Sequence, residues 1–581
     1  THPNVWNNFI TRSENTYKNK KKEVEEKLNQ IADQVVEDWK NGNLDPQKDS
    51  WMCHLDWSLP SKRARKAKDK PNWYRKLLDK KENLKITPSQ QVAPYLLRMK
   101  WEGYPLFHHK EEKWGYLVPK NDESHISKLR PKLLDENYEE VEKGKEASYK
   151  FYKIPHKDGG DNNVGSPLSK DYLSYFENGV LSSELDLAKQ AIEDTIACSY
   201  WVATRDRVFN QFIHTKEDGT GVIVPQLMPT GTITRRAVEV TWLTASNPKP
   251  NKIGSEIKST IRPPEGWYIV GADVDSQELW LAAVFGDSNF EEVNGCTPFG
   301  MQNVIGDKKY KTDFHSSTAR FINESIEQVI GKERSKELDL KIDRDHAKVF
   351  NYSRIYFAGV KNATQQIKNI EKRLSDNEAY ESMKKLFQKT KGRKGYKGWT
   401  GGTESYTFNF LERVANSYEP ETPLLKSKIS DAVSPKNDDN DEFLPTRGNW
   451  VVQSSGVDFL HCLIVATDWL CNKYDIQARL MLSIHDEYRY LCRKEDTKRL
   501  ALAMQIAHIW TRSYVIWQLG MRDLPESVAW FSGIDVDICL RKEVDTSLKT
   551  PSNPVQDLPE GVSLSPEFLE EEGIKLDKPV E

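Results

Sequence analysis

The sequence predicts a mixed α+β fold, and three stretches carry that expectation. Trp267–Ala272 is apolar, rich in β-branched and aromatic residues, and follows a Pro-Pro-Glu-Gly turn, the pattern of a buried strand. Arg479–Cys492 reads as two apolar strands broken by His485, Asp486 and Glu487, a hairpin with acids at its tip. Ile342–Ala358 contains no Pro or Gly, so one continuous helix is allowed there.

Taken in order, Ser13–Trp39 is predicted helical. Tyr17, Val24, Leu28, Ile31, Val35 and Trp39 recur at spacings of three, four and seven and form one apolar stripe, with a stop at Asn41-Gly42. Ser61–Lys70 is a basic run, read first as a solvated linker and second as a phosphate contact. Trp73 to Tyr152 mixes short strands and turns. Leu185–Arg205 is a predicted helix, and Val222–Asn247 reads as strands with turns. Phe321–Asp343 is a polar helical insert with a solvated face. Lys426–Glu442 is charged and turn-rich, the pattern of a mobile loop. From Thr546 onward repeated prolines forbid a long helix, and the tail is expected to be disordered or to wrap the surface.

Length and composition bound the rest. The 581 residues suffice for several subdomains, and the net charge is −3, so any polyanion must be met by a local positive field. Seven scattered cysteines without zinc spacing point to a reducing compartment. No unbroken apolar run approaches ~18 residues, so no membrane span is indicated.

The strand at Trp267 delivers Asp273 and Asp275 to its C-terminal end, where a carboxylate is costly unless a cation meets it. If the hairpin pairs beside that strand, Asp273 and Asp486 face each other and repel unless cations bridge them. Two magnesium ions ~3.5–4 Å apart are the apparatus of in-line phosphoryl or nucleotidyl transfer. Arg344, Lys348, Tyr352 and Tyr356 recur every four residues on one broad helix face. By spacing alone that face is more readily a surface helix with a half-buried Tyr stripe. Arg235 and Arg236 beside a Gly turn suit phosphate oxygens, with surface ion pairing the plainer alternative.

Three segments in order resemble the mitochondrial DNA polymerase gamma family, a branch of the family A polymerases. Gly271–Trp280 is similar to motif A, Arg344–Tyr356 to motif B and Ser483–Glu487 to motif C. Trp114–Pro119, Gly231–Ala237, Thr241–Asn247 and Val451–Ser455 extend the likeness, which runs from about Trp6 to Asn553. The resemblance implies a right-hand polymerase. Residues 1–45 and 169–198 would form the thumb, 46–168 a spacer, 199–293 and 447–545 the palm, 294–446 the fingers and 546–581 a disordered tail. It implies template-directed addition of deoxynucleotides to a primer 3′-end in mitochondria, and an accessory processivity subunit among the partners. The rivals are a catalytically inactive DNA-binding scaffold, which both acids argue against, and a two-metal nuclease, which needs no triphosphate cradle.

The resemblance also assigns residues. Asp273 and Asp486, with the Val274 carbonyl, would hold two magnesium ions, and Glu487 would support them. Asp275 is not expected to be a ligand. Gln277, Glu278, His315, Arg344, Lys348, Tyr352 and Tyr356 would bind the nucleotide, Glu278 and Tyr356 excluding a ribose 2′-hydroxyl. Asn163, Ser166, Lys170, Lys189, Arg235, Arg236, Asn247, Lys252, Thr446, Arg447, Gln453 and His485 would contact DNA or the primer end. Ser353 and Phe357 depart from the family, which has glycine at both positions; altered fidelity or slower translocation is expected. In the family an exonuclease domain precedes this region. No convincing Asp-x-Glu exonuclease site occurs here, so the chain is expected to be a fragment without that domain or a targeting signal.

Overall fold

The chain is represented by a computed structural model that describes residues 3–41, 106–108, 113–119, 139–143, 147–153, 190, 194, 214–215, 221–222, 227–239 and 261–578, apart from 340–341, 372, 439–440, 542 and 547–557. It divides into two compact units, Asn7–Gln211 and a larger one of Phe212–Glu581 with Thr1–Trp6.

Helix α1, Pro3–Lys40, carries most of its length in the smaller unit. Val24 of its predicted stripe is buried. Lys20 and Lys27 grip Asp194 at 3.0 and 2.5 Å. Strands β1 (Leu106–His108), β2 (Lys113–Pro119), β3 (Glu139–Lys143) and β4 (Ala147–Lys153) form an antiparallel sheet in the order β1-β2-β4-β3, within the predicted strand-and-turn region. The basic run Ser61–Lys70 lies outside the described residues, as does most of the helix expected over Leu185–Arg205.

The larger unit is built on strand β5, Trp267–Asp273. Helices α2 (Gln277–Ser288), α3 (Pro298–Ile305), α4 (Phe314–Ile330), α5 (Lys332–Leu338), α6 (Arg344–Ile355), α7 (Val360–Ile370) and α8 (Asp376–Thr390) follow. After the hairpin β6 (Arg393–Gly395) and β7 (Gly398–Thr400) come α9 (Ser405–Ala415) and α10 (Leu444–Lys473). The hairpin β8 (Ala478–Ile484) and β9 (Glu487–Arg493), α11 (Thr497–Gln518), β10 (Ile534–Asp537), β11 (Val562–Leu564) and α12 (Pro566–Glu571) complete the unit.

β5 sits at the centre of a five-stranded antiparallel sheet ordered β8-β9-β5-β10-β11. Alternation divides the sheet into two faces. Val270, Ala272, Tyr488, Tyr490, Cys492 and Ile534 are buried in a core shared with α2, α10 and α11. Gly271, Asp273, Glu487, Arg489 and Asp535 occupy the opposite, polar face. α2 is apolar all round and buried along almost its whole length, as befits a helix packed on every side. α10 is long and apolar enough to cross a membrane, but 67% of that stretch is buried inside the protein, so it is a core helix.

Four expectations need correction. The tail is not disordered over 558–578: β11 adds an edge strand, and Leu564 and Leu569 enter the core. Proline forbids a long helix but not an edge strand, and Pro566 sits where it suits a helix start, after the Ser565 cap. Lys426–Glu442 holds two 3₁₀ turns, and the Asp438 carboxylate accepts from the Glu442 and Phe443 amides and from Arg447. The insert at Phe321–Asp343 is not polar throughout, because Ile322 and Ile326 of α4 are buried in a second core with α6, α7 and α8.

The fourth correction is the helix at Ile342–Ala358, which stops at Ile355. The Ala358 amide donates to Ser353 at 2.9 Å and that of Phe357 to Arg354 at 2.8 Å, the paired bonds of a Schellman cap. Phe357 takes the left-handed position usual for glycine, at φ +65°. Its ring lies against Gly448, where a Cβ would come within 2.4 Å, and meets Phe408 edge-on at 5.7 Å. Phe357→Gly and Phe357→Ala both lose those contacts, but only glycine is relaxed at positive φ. The glycine variant should therefore be about 1 kcal/mol the more stable of the two in urea unfolding; an alanine variant of equal or greater stability would contradict the cap assignment.

Candidate active site

Pairing of β5 with β9 does the first work of assembly. Asp273 stands opposite Glu487, and the Val274 amide donates to the Asp486 carbonyl at 3.0 Å. Asp486 and His485 form the two-residue tip between β8 and β9, so the acids of two distant segments meet at one end of the sheet. Glu487, expected at the tip, is the first residue of β9. Backbone strain flanks both acids: His485 at φ +56° and Ser276 at φ +47° are non-glycine residues in the left-handed region.

The acids lie near Tyr352 of α6 and Tyr356, the residue that caps it. The Tyr352 hydroxyl is held protonated by burial first, and then by the negative charges of Glu278, Asp486 and Asp273. Tyr356 is held protonated by burial and by Glu278, to which it hydrogen-bonds. Glu278 in turn receives the Arg236 guanidinium. Burial, followed by the charge of Glu278, pushes the Asp486 carboxyl up to about 6. Such crowding is what a cation relieves, and an all-oxygen donor set suits a hard divalent ion. Among the described residues no three His, Cys, Asp or Glu side chains gather as a metal cage. Two carboxylates would leave the remaining positions of such an ion to water or to ligand oxygens.

A cationic region adjoins these acids. Arg344 donates to Asp313, the cap of α4, at 3.0 Å, and Lys348 is exposed one turn on. His315, in the first turn of α4, is pushed down to about 4 by burial first and then by Arg344, with Lys348 adding to it, so it is neutral at pH 7. Its Nδ1 lies 2.9 Å from the Asn351 amide nitrogen, and Asn351 Oδ1 accepts from Arg354 at 2.7 Å. Arg354 pairs with Glu404 at 2.7 Å, and both side chains are fully buried. Arg354→Met would leave the Glu404 carboxylate without its cation. It should lower stability by ~3–5 kcal/mol, read by chemical denaturation; a loss under ~1 kcal/mol would show that the pair does not hold these helices.

Several residues expected to meet nucleotide or DNA are engaged within the protein instead. The Gln277 amide donates to the Gly456 carbonyl of α10 at 2.6 Å and is buried, so it ties two helices together. Arg235 pairs with the buried Asp458 at 2.6 Å and donates to Ser454 at 3.0 Å. Arg447 is fully buried between Asp438 at 2.5 Å and Asp441 at 2.7 Å. For the two arginines the cause is shared: a cation that burial takes from water pairs with a nearby carboxylate. Thr446 and Gln453 lie half-buried on α10, and His485 is exposed. Asn163, Ser166, Lys170, Lys189, Asn247 and Lys252 lie outside the described residues. Sequence reasoning missed Asn351, Arg354, Glu404 and Arg489. Arg489 crosses over Gly271 to hold Glu487 at 2.6 Å and Asp535 at 3.2 Å, where a Cβ on residue 271 would come within 2.2 Å of it.

Comparison with known proteins gives concordant results. A sequence profile described as "DNA polymerase family A" matches residues 185–513. The DNA polymerase gamma of Komagataella pastoris is 40% identical over 591 residues, covering 98% of this chain and 56% of that protein. The mitochondrial DNA polymerase gamma of Neurospora crassa is 38% identical over 616 residues, covering 95% of this chain and 41% of that protein. DNA polymerase subunit gamma-1 of Gallus gallus is 34% identical over 625 residues, covering 81% of this chain and 94% of that protein. The chain thus spans about half the length of the fungal relatives it matches.

Proposed function

The chain belongs to DNA polymerase family A, and from that premise we propose that it adds deoxynucleotides to a primer 3′-end as a template directs. The observation that supports this most is the meeting of Asp273 and Asp486 near Tyr352. In this reading the five-stranded sheet is the palm, helices α4 to α8 form the fingers, and α1 belongs to the thumb.

Family A polymerases use divalent metal ions. Here Asp273, Asp486 and the Val274 carbonyl would hold two magnesium ions. When bound, they supply Lewis-acid activation of the primer hydroxyl and neutralise the departing pyrophosphate. The chain's own residues do the positioning. Arg344 and Lys348 present fixed charge to the triphosphate, Arg344 exchanging its Asp313 partner for phosphate. Glu278, pinned by Arg236 and Tyr356, fills the space a ribose 2′-hydroxyl needs. Tyr352 lies along the same helix face, against sugar and base. Glu487, turned toward Arg489, supports the site rather than bridging the ions. His485 and Gln453 face the primer end. Phe357 narrows the freedom of the helix end on which the nucleotide rests, so Phe357→Gly should change incorporation rate or fidelity.

Primer–template DNA and deoxynucleoside triphosphates are the partners this requires, and an accessory subunit is a further one. The name of the Neurospora crassa relative supports a mitochondrial location. Primer extension with deoxy- and ribonucleotides, with and without magnesium, tests the proposal. Magnesium-dependent extension by deoxynucleotides is expected, and a chain that binds primer–template without extending it would overturn the reading.

A further inference from the structure

We propose that Asn351, oriented by Arg354, fixes His315 in the tautomer that carries its proton on Nε2, making a neutral imidazole a directed hydrogen-bond donor to the phosphates of an incoming nucleotide. The phosphate half of this statement rests on the polymerase reading; the tautomer does not.

The argument is one of donors and acceptors. A guanidinium can only donate, so the oxygen of the Asn351 amide must face Arg354, and it does so at 2.7 Å. The amide's NH₂ is then the group turned to His315, 2.9 Å from Nδ1. An NH₂ also only donates, so Nδ1 must accept and cannot carry a proton. A neutral ring then has its proton on Nε2. The imidazolium would set N–H against N–H, so the same contact disfavours the cation. Arg344, Lys348 and Lys308 lie near enough to disfavour it further, against the opposing pull of Asp313.

The relay is anchored at its far end. The Arg354 nitrogen that holds Asn351 also donates to Glu404 at 2.7 Å. His315, Asn351, Arg354 and Glu404 are all buried, so neither the amide nor the ring can turn without stranding a polar group. Three elements are linked: the first turn of α4, the inward face of α6 and the residue before α9. Among the described residues Nδ1 is the ring nitrogen engaged. Nε2 keeps its donor capacity within the cationic region that Arg344 and Lys348 define.

The test has a spectroscopic arm and a kinetic arm. In the ¹⁵N-histidine-labelled chain, long-range ¹H–¹⁵N correlations separate protonated from unprotonated ring nitrogens, and the His315 signals are those lost in His315→Gln. Unprotonated Nδ1 and protonated Nε2 are expected at neutral pH, and Asn351→Asp should move a proton onto Nδ1. Protonated Nδ1 in the parent overturns the proposal, whether or not Asn351→Asp folds. In the kinetic arm, Gln places its amide nitrogen near the Nε2 position and Asn places it near Nδ1. His315→Gln should keep the nucleotide KM within about threefold, whereas His315→Asn should raise it about tenfold or more, the loss of one hydrogen bond to a charged group. Equal KM values for the two variants would remove the phosphate role. A parent chain that fails to extend any primer would overturn the polymerase reading while the spectrum still decides the tautomer.

Discussion

Asp486→Ala should abolish primer extension, lowering kcat by at least ~10³-fold, because charge stabilisation worth several kcal/mol at the transition state is removed. Affinity for primer–template should change little, since the residue is one acid at a hairpin tip and not part of a cationic surface. The stability of the metal-free chain should move the other way. Burial and the neighbouring Glu278 raise the Asp486 carboxyl to about 6, above its unfolded value. An acid shifted in that direction destabilises the fold when ionised, at pH above about 6, and the penalty fades as pH falls through that value toward the unfolded pKa. Asp486→Asn should therefore melt higher than the parent at pH 8, and the difference should close toward pH 4. Magnesium should raise the melting temperature of the parent and leave that of the variant nearly unchanged. Extension at parental rates would refute the assignment of the acid, as would equal responses to magnesium.

The second large effect is expected at Glu278. Its carboxylate pairs with Arg236 and lies beside the Tyr356 hydroxyl, so a 2′-hydroxyl entering this space must displace a group already engaged. A site built in this way discriminates by orders of magnitude, because admitting the wrong sugar strands buried polar atoms. Glu278→Ala should lower the preference for deoxy- over ribonucleotides by ~10²-fold, mostly through faster ribonucleotide use. Tyr356→Phe, which loses the neighbouring hydroxyl, should give a smaller change in the same direction. An unchanged ratio of kcat/KM for the two sugars would mean that discrimination lies elsewhere.

The central strand, the acidic hairpin and the helix of Arg344 and Lys348 could be read from the sequence because local pattern and tertiary role agree there. Apolar β-branched residues bounded by turns make a buried strand wherever they occur. Asp273 and Asp486 were legible for the same reason, each being an acid at the end of such a strand. Arg235 was not, because its fate depends on Asp458, which lies 223 residues further on. Two arginines beside a glycine turn look alike in sequence whether one of them meets phosphate or a buried carboxylate. Arg447 had its acids close by, at Asp438 and Asp441, but the run around them reads as a solvated loop until Arg447 is seen to organise it. Asn351 and Arg354 lie on the buried flank of α6, beside the face that periodicity selects, and Glu404 comes from the residue before α9. Phe357 could be singled out as a departure from glycine, although the left-handed cap it occupies needed coordinates to see.

The edge strand β11 has a bearing on how the molecule is made. During synthesis β5 emerges more than 200 residues before β9, the neighbour that brings the second acid. β10 comes later still, and its outer side stays open until Val562–Leu564 leaves the ribosome. A nascent or prematurely terminated chain ending before Val562 exposes an unpaired row of backbone donors and acceptors at the rim of a hydrophobic sheet, a template for aggregation. The interval most open to misassembly is thus the one after β10 has emerged and before Val562–Leu564 has, when the far carboxylate is already in place but the sheet remains unsealed.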